Sequence, residues 1–152
     1  MTHFMGSFTG RLDKKGRVSV PASFRAALER LGTDEVIFRP SHTHPCVEAW
    51  PAPTFAKLSE GLNTLDAFSD AQSEMEMALF SEACPLRPDG EGRIVLPESL
   101  VVHAGLEEAV CFVGVGRTFQ IWEPAAAKRR MEEARERARA RGLTVPAPKT
   151  AA

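Results

Sequence analysis

Across residues 7–12 the apolar side chains Phe8 and Leu12 alternate with Thr9 and Arg11. A period of two is the signature of a strand with one buried face. The tetrapeptide Asp13–Gly16 then carries turn chemistry, because Asp favours the start of a turn and Gly can supply positive φ. It is predicted to close a hairpin leading into a strand at "RVSV". Pro21 ends that strand and suits the first turn of a short helix, "PASFRAALERLG", with Phe24 and Leu28 on one face. A later apolar strand around Val36 to Phe38 precedes a strand end bearing Trp50.

The same order then returns. "LDKKGRVSVP", residues 12–21, reappears as "PDGEGRIVLP", residues 88–97. A shift of 76 residues aligns Arg11, Asp13, Gly16, Arg17 and Pro21 with Arg87, Asp89, Gly92, Arg93 and Pro97. An internal repeat of this kind means one supersecondary plan used twice. The second copy continues with a short helix, an apolar strand over Val110 to Val115 and a strand end at Trp122.

Between the copies, "TFAKLSEGLNTLDAFSDAQSEMEMALF" predicts a helix, a break near Ser69 and a second helix with Met75 and Leu79 at i, i+4 spacing. After Trp122, "AAAKRRMEEARERARAR" is helical by propensity and almost wholly polar beyond Met131. The expected divisions are a first repeat over 1–53, a helical connector over 54–80, a second repeat over 81–124, a charged helix over 125–141 and a disordered tail over 142–152.

Composition narrows the class. At 152 residues and 43% hydrophobic, the chain suffices for one compact domain or two small halves sharing a core. Cys46, Cys84 and Cys111 are scattered and form no CxxC pair, which argues against a disulfide framework and a zinc ribbon. No window approaches the ~18 apolar residues of a membrane span, so a cytoplasmic protein is expected.

Net charge is −1, but it is segregated along the chain. Residues 11–30 carry an excess of +4, residues 54–91 carry −6 and residues 124–152 carry +5. Within the repeated motif, Arg11, Asp13, Lys14, Lys15 and Arg17 sum to +3, whereas Arg87, Asp89, Glu91 and Arg93 sum to zero. The copies share a frame and differ in charge.

The two Asp-x-x-x-Arg motifs, "DKKGR" and "DGEGR", each followed by a strand and Pro, together with "VGVGRTFQIW", resemble the MraZ family over roughly residues 4–130. That resemblance implies an α+β fold, mainly β with peripheral helices, in which two AbrB-like swapped-hairpin repeats build a double-split β-barrel. It further implies a ring-shaped homo-oligomer, associated with the nucleoid, that binds repeated double-stranded DNA elements near the promoter of its own gene and the adjacent cell-division and cell-wall gene cluster. The chain departs from the family in its His-rich segment "RPSHTHPCVEAWP" and in the acidity of "SDAQSEMEMALF".

A narrow hairpin can enter a major groove, where Arg makes bidentate contacts to guanine and Lys meets phosphate. DNA contact is therefore assigned to Arg11, Lys14, Lys15 and Arg17, with Arg93 second to them. Asp13, Gly16, Asp89, Gly92 and Arg93 are assigned to holding the turns, and Arg25 and Arg30 to surface charge. His42, His44 and Cys46 stand at i, i+2, i+4 but lack a clear fourth ligand, so a polar loop is the preferred reading and no metal or other cofactor is expected. Asp13 and Asp89 each sit beside an arginine that would hold them ionised, with no positioned His or nucleophile, so an enzyme with a small-molecule substrate is not expected. The competing class is a ring-forming, antitoxin-like interaction protein whose main partner is another protein.

Overall fold

A computed structural model describes residues 3–148. Of the tail expected over 142–152, residues 149–152 lie outside the described residues. The elements follow the duplicated order. The first repeat runs β1 (Ser7–Arg11), β2 (Arg17–Ser19), α1 (Ala22–Arg30), β3 (Val36–Pro40) and β4 (Val47–Pro51). The second runs β5 (Cys84–Leu86), β6 (Arg93–Val95), α4 (Glu98–His103), β7 (Ala109–Gly114) and β8 (Phe119–Trp122). Between them stand α2 (Ala52–Glu60), a short 3-10 helix at Gly61–Thr64 and α3 (Asp70–Phe80), while α5 (Pro124–Ala140) follows β8. The break before α3 falls at Ser69, whose hydroxyl accepts the Gln72 N–H at 3.1 Å, the usual way of satisfying a free donor at a helix start.

The predicted hairpin between β1 and β2 is corrected by the pairing. Six strands form one antiparallel sheet in the order β1-β7-β8-β4-β3-β5, and β2 pairs with β6 in a separate two-stranded ribbon. Reversing that order exchanges the repeats, so the sheet carries an internal two-fold relation. The first strand of each repeat adds to the later strands of the other: Phe8 lies opposite Phe112, and Cys84 opposite Phe38. The turn between β1 and β2 is real, with the Gly16 N–H bonded to the Asp13 carbonyl at 3.1 Å, but the strands part beyond it. Each has an open edge in the opposite repeat to satisfy its backbone groups, and sequence periodicity cannot say which edge a strand will take. The mixed α+β class and the two-repeat plan hold, with the six-stranded sheet ending at β1 and β5 rather than closing into a barrel.

The core lies where the repeats interlock. Phe24 of α1, at 1% exposure, meets Phe119 of β8 at a ring separation of 4.9 Å and Phe4 at 5.4 Å. Leu28 and Leu100 fill the same interior from α1 and α4. Aromatic and aliphatic burial at this interlock provides the main apolar driving force. By contrast, α2 buries no residue fully and α3 buries only Leu79, so the connector covers the body thinly. No helix among the described residues is long and apolar enough to cross a membrane.

Candidate nucleic-acid interface

The ribbon of β2 and β6 displays the two motifs side by side. Val18 lies opposite Ile94, and both are buried; Arg17 lies opposite Val95, and Ser19 opposite Arg93. Strand alternation therefore sends Val18 and Ile94 into the core and turns Arg17, Ser19, Arg93 and Val95 outward. Val95 stands 53% exposed on this face.

Both turns are built on an aspartate. Asp13 Oδ1 accepts the N–H groups of Lys15 at 2.9 Å and Arg17 at 2.8 Å, and Asp89 Oδ1 accepts those of Glu91 at 2.8 Å and Arg93 at 3.0 Å. The backbone N–H of Arg17, followed by its guanidinium, holds the Asp13 carboxyl below its ordinary pKa. For Asp89 the backbone N–H of Arg93 is the main cause, followed by that of Glu91. Amide donors rather than a neighbouring charge lead in both turns, and they make each aspartate an ionised anchor. Gly16 and Gly92 adopt φ of +83° and +79°, a region unfavourable to residues with a Cβ. Their carbonyls tie the ribbon together, accepting from Leu96 N–H at 2.8 Å and Val20 N–H at 2.9 Å.

The arginines part company here. Arg17 bonds Asp13 Oδ2 through Nε at 2.7 Å, and its two terminal nitrogens have no protein partner among the described residues. The Arg93 Nε lies 3.4 Å from Asp89 Oδ2 without hydrogen-bond geometry, and its Nη2 is engaged by Glu91 at 3.2 Å. A guanidinium held by one edge presents its other donors in a fork, the geometry that matches a guanine edge or a phosphate.

The structure brings Arg11, Arg17 and Arg93 together around one cleft of about 190 Å³, with Asp13, Val18 and Ser19 completing its wall. Lys14 and Lys15 are exposed and border a different depression, shared with Glu98 and Val101. Asp13 borders both. Arg25 remains exposed, yet it is more than surface charge: its Nε donates to the Val20 carbonyl at 3.1 Å and its guanidinium covers Gly92. A Cβ on Gly92 would come within 2.6 Å of that Nε. The first repeat thus lends an arginine to the second turn, whereas Val101, at the equivalent position, only borders the depression beside the first turn, where Leu96 and Val95 lie nearest Gly16. The Arg25 and Val101 pairing in the 76-residue alignment was the available signal for this difference.

The residues of the His-rich loop diverge. His42 is exposed, the His44 ring lies 6.1 Å from that of Trp122, and Cys46 is buried with Cys111, Trp122 and Ala127. Burial pushes the Cys46 thiol up to about 12, as expected of a buried, inert thiol. No group of three or more His, Cys, Asp or Glu side chains suited to a metal occurs among the described residues.

The family model described as "MraZ protein, putative antitoxin-like" matches residues 3–77 and 79–143 of the chain. A transcriptional regulator MraZ from Gluconacetobacter diazotrophicus is 54% identical over 150 residues, covering 97% of this chain and 94% of the relative. Another from Gluconobacter oxydans is 51% identical over 142 residues, covering 91% and 87% respectively. A third, from Rickettsia felis, is 40% identical over 145 residues, covering 95% and 97%.

Proposed function

The chain belongs to the MraZ family, and we propose that it regulates transcription by binding double-stranded DNA through the β2/β6 ribbon, with the first repeat as the reading head. Arg17 meets base edges, Arg11 supports it from the shared cleft, and Lys14 and Lys15 meet phosphates. The observation that carries this reading is the free outer fork of Arg17 on the turn that also exposes Lys14 and Lys15, set against an Arg93 engaged by Glu91. The targets are repeated elements upstream of its own gene and of the cell-division and cell-wall cluster. Several copies of the chain, joined as a homo-oligomer, would engage several repeats at once, raising avidity without improving any single contact.

Nuclease footprinting on the DNA upstream of the chain's own gene tests this. Protection of regularly spaced short repeats is expected. A second reading, that the main partner is a protein, draws on the antitoxin-like description of the matched family. Absence of protection even at low salt, where phosphate contacts are strongest, would favour that reading over DNA binding.

A further inference from the structure

We propose that the face formed by α3 and the loop before it docks the basic helix α5 of a second copy of this chain. This rests on the homo-oligomer reading above and gives it a specific contact. The connector presents apolar surface that its own body leaves uncovered: Phe68 is fully exposed, Met77 is 66% exposed and Phe80 is 43% exposed. Phe68 is also held at φ 64°, the one positive φ outside glycine among the described residues, with its N–H fixed by the Gln72 side chain at 3.0 Å. An aromatic ring displayed from a strained backbone is an anchor in want of a pocket.

The surroundings of that apolar surface are acidic. Asp70, Glu74 and Met77 follow at i, i+4 and i+7, so two carboxylates and an exposed thioether share one face of α3. Asp66, Asp70, Glu74 and Glu76 are exposed and have no ion-pair partner among the described residues. Such a surface repels DNA and invites a cationic, partly apolar partner.

The chain contains one. Only Ala127 of α5 is fully buried, and Met131 is the last large apolar side chain of the helix, packed beside Cys46, Cys111 and Trp122. Beyond it every residue through Ala140 is charged except three alanines, which leaves most of the helix surface charged and uncovered by its own body. Arg137 and Arg139 are paired within the helix, to Glu133 and Glu136 respectively. Lys128, Arg129, Arg135 and Arg141 are exposed without ion-pair partners among the described residues, and Leu143 is 59% exposed just after the helix. The α5 of one copy therefore offers cations, alkyl stems and Leu143 to the carboxylates and apolar side chains of the next. The two surfaces differ, so the contact is head-to-tail, the kind that closes a ring when its rotation permits.

Sedimentation velocity on the full chain, with reciprocal charge reversal, tests the contact. Lys128→Glu with Arg135→Glu on α5, or Asp70→Lys with Glu74→Lys on α3, should each weaken self-association by more than about tenfold. All four substitutions in one chain should restore it, which also shows that the variants fold. The proposal is overturned if the wild-type chain sediments as a monomer, if either pair leaves the size unchanged, or if the fourfold variant stays dissociated. Titration of a single-site duplex with the same variants separates this from the DNA reading. Unchanged size with weakened DNA binding on reversing α5 would place that helix on DNA instead.

Discussion

The two repeats share a frame that each completes with different chemistry. In β3 and β4 of the first, Arg39 lies opposite Glu48; at the matching register in β7 and β8, Val113 lies opposite Gln120. The tryptophans keep the same bond in both, Trp50 Nε1 to Glu48 Oε1 at 3.0 Å and Trp122 Nε1 to Gln120 Oε1 at 2.8 Å. Only in the first repeat does a buried arginine join in, bonding Glu48 at 2.6 Å and reaching the Ala78 carbonyl of α3 at 2.9 Å. Phe4 and Phe80, equivalent under the 76-residue shift, show the same divergence, since Phe4 is 1% exposed and Phe80 is 43% exposed. The repeats differ where the first reaches α3, which Arg39 ties to the sheet while Val113 at the matching register cannot. They differ again in the turn, where Lys14 and Lys15 stand in place of Gly90 and Glu91.

That comparison breaks most visibly at Arg39. Arg39→Ala should cost about 3–5 kcal/mol, because Glu48 is left without its charge partner in a largely buried site. Writing the second repeat into the first, with Arg39→Val and Glu48→Gln together, should recover most of the loss, since Gln can still accept the Trp50 N–H. Denaturant midpoints measure both; a cost below about 1 kcal/mol for Arg39→Ala would deny the pair its structural role.

A smaller effect separates the two turn glycines. Gly16→Ala and Gly92→Ala each incur roughly 1–2 kcal/mol of left-handed strain. At Gly16 the new Cβ also meets the Leu96 carbonyl at 2.8 Å, which is backbone and cannot move aside, whereas at Gly92 it meets the movable Arg25 side chain. Gly16→Ala should therefore be the less stable of the two by thermal melting, and equal losses would mean that the close approach is relieved.

The smallest effect is in acid. Asp13 and Asp89 have lowered folded-state pKa values, so their contribution is fully present above about pH 4 and is lost as pH falls through those lowered values. Asp13→Asn should flatten the acid limb of the melting curve slightly, and an unchanged limb would show that the first turn does not report there.

Much of this was legible in the chain. The repeat, the element order, the turn aspartates and the burial of Phe24 and Leu28 follow from spacing and residue type, which act locally. Strand exchange was not legible from periodicity, because β1 satisfies the same alternation whether it pairs with β2 or with β7. Nor was the Arg39 network, since an isolated arginine in "VIFRP" gives no sign of a carbonyl 39 residues away. Charge in the sequence places Arg93 below Arg17 as a DNA contact, since Glu91 stands where the first copy has Lys15. The engagement of Arg93 with Glu91 supplies a geometric reason, while its place in the cleft with Arg11 and Arg17 keeps the comparison open to test.

The most direct test titrates wild type, Arg17→Ala, Lys15→Ala and Arg93→Ala against cognate and scrambled duplex at several salt concentrations, with oligomer size followed in parallel. Arg17→Ala should lose about 1–3 kcal/mol of binding and relax sequence preference. Lys15→Ala should weaken binding to both duplexes and lower the salt slope by about one. Arg93→Ala should act chiefly on stability or assembly. Normal binding by Arg17→Ala, with loss of binding by a folded and assembled Arg93→Ala, would contradict the assignment of the reading head to the first repeat.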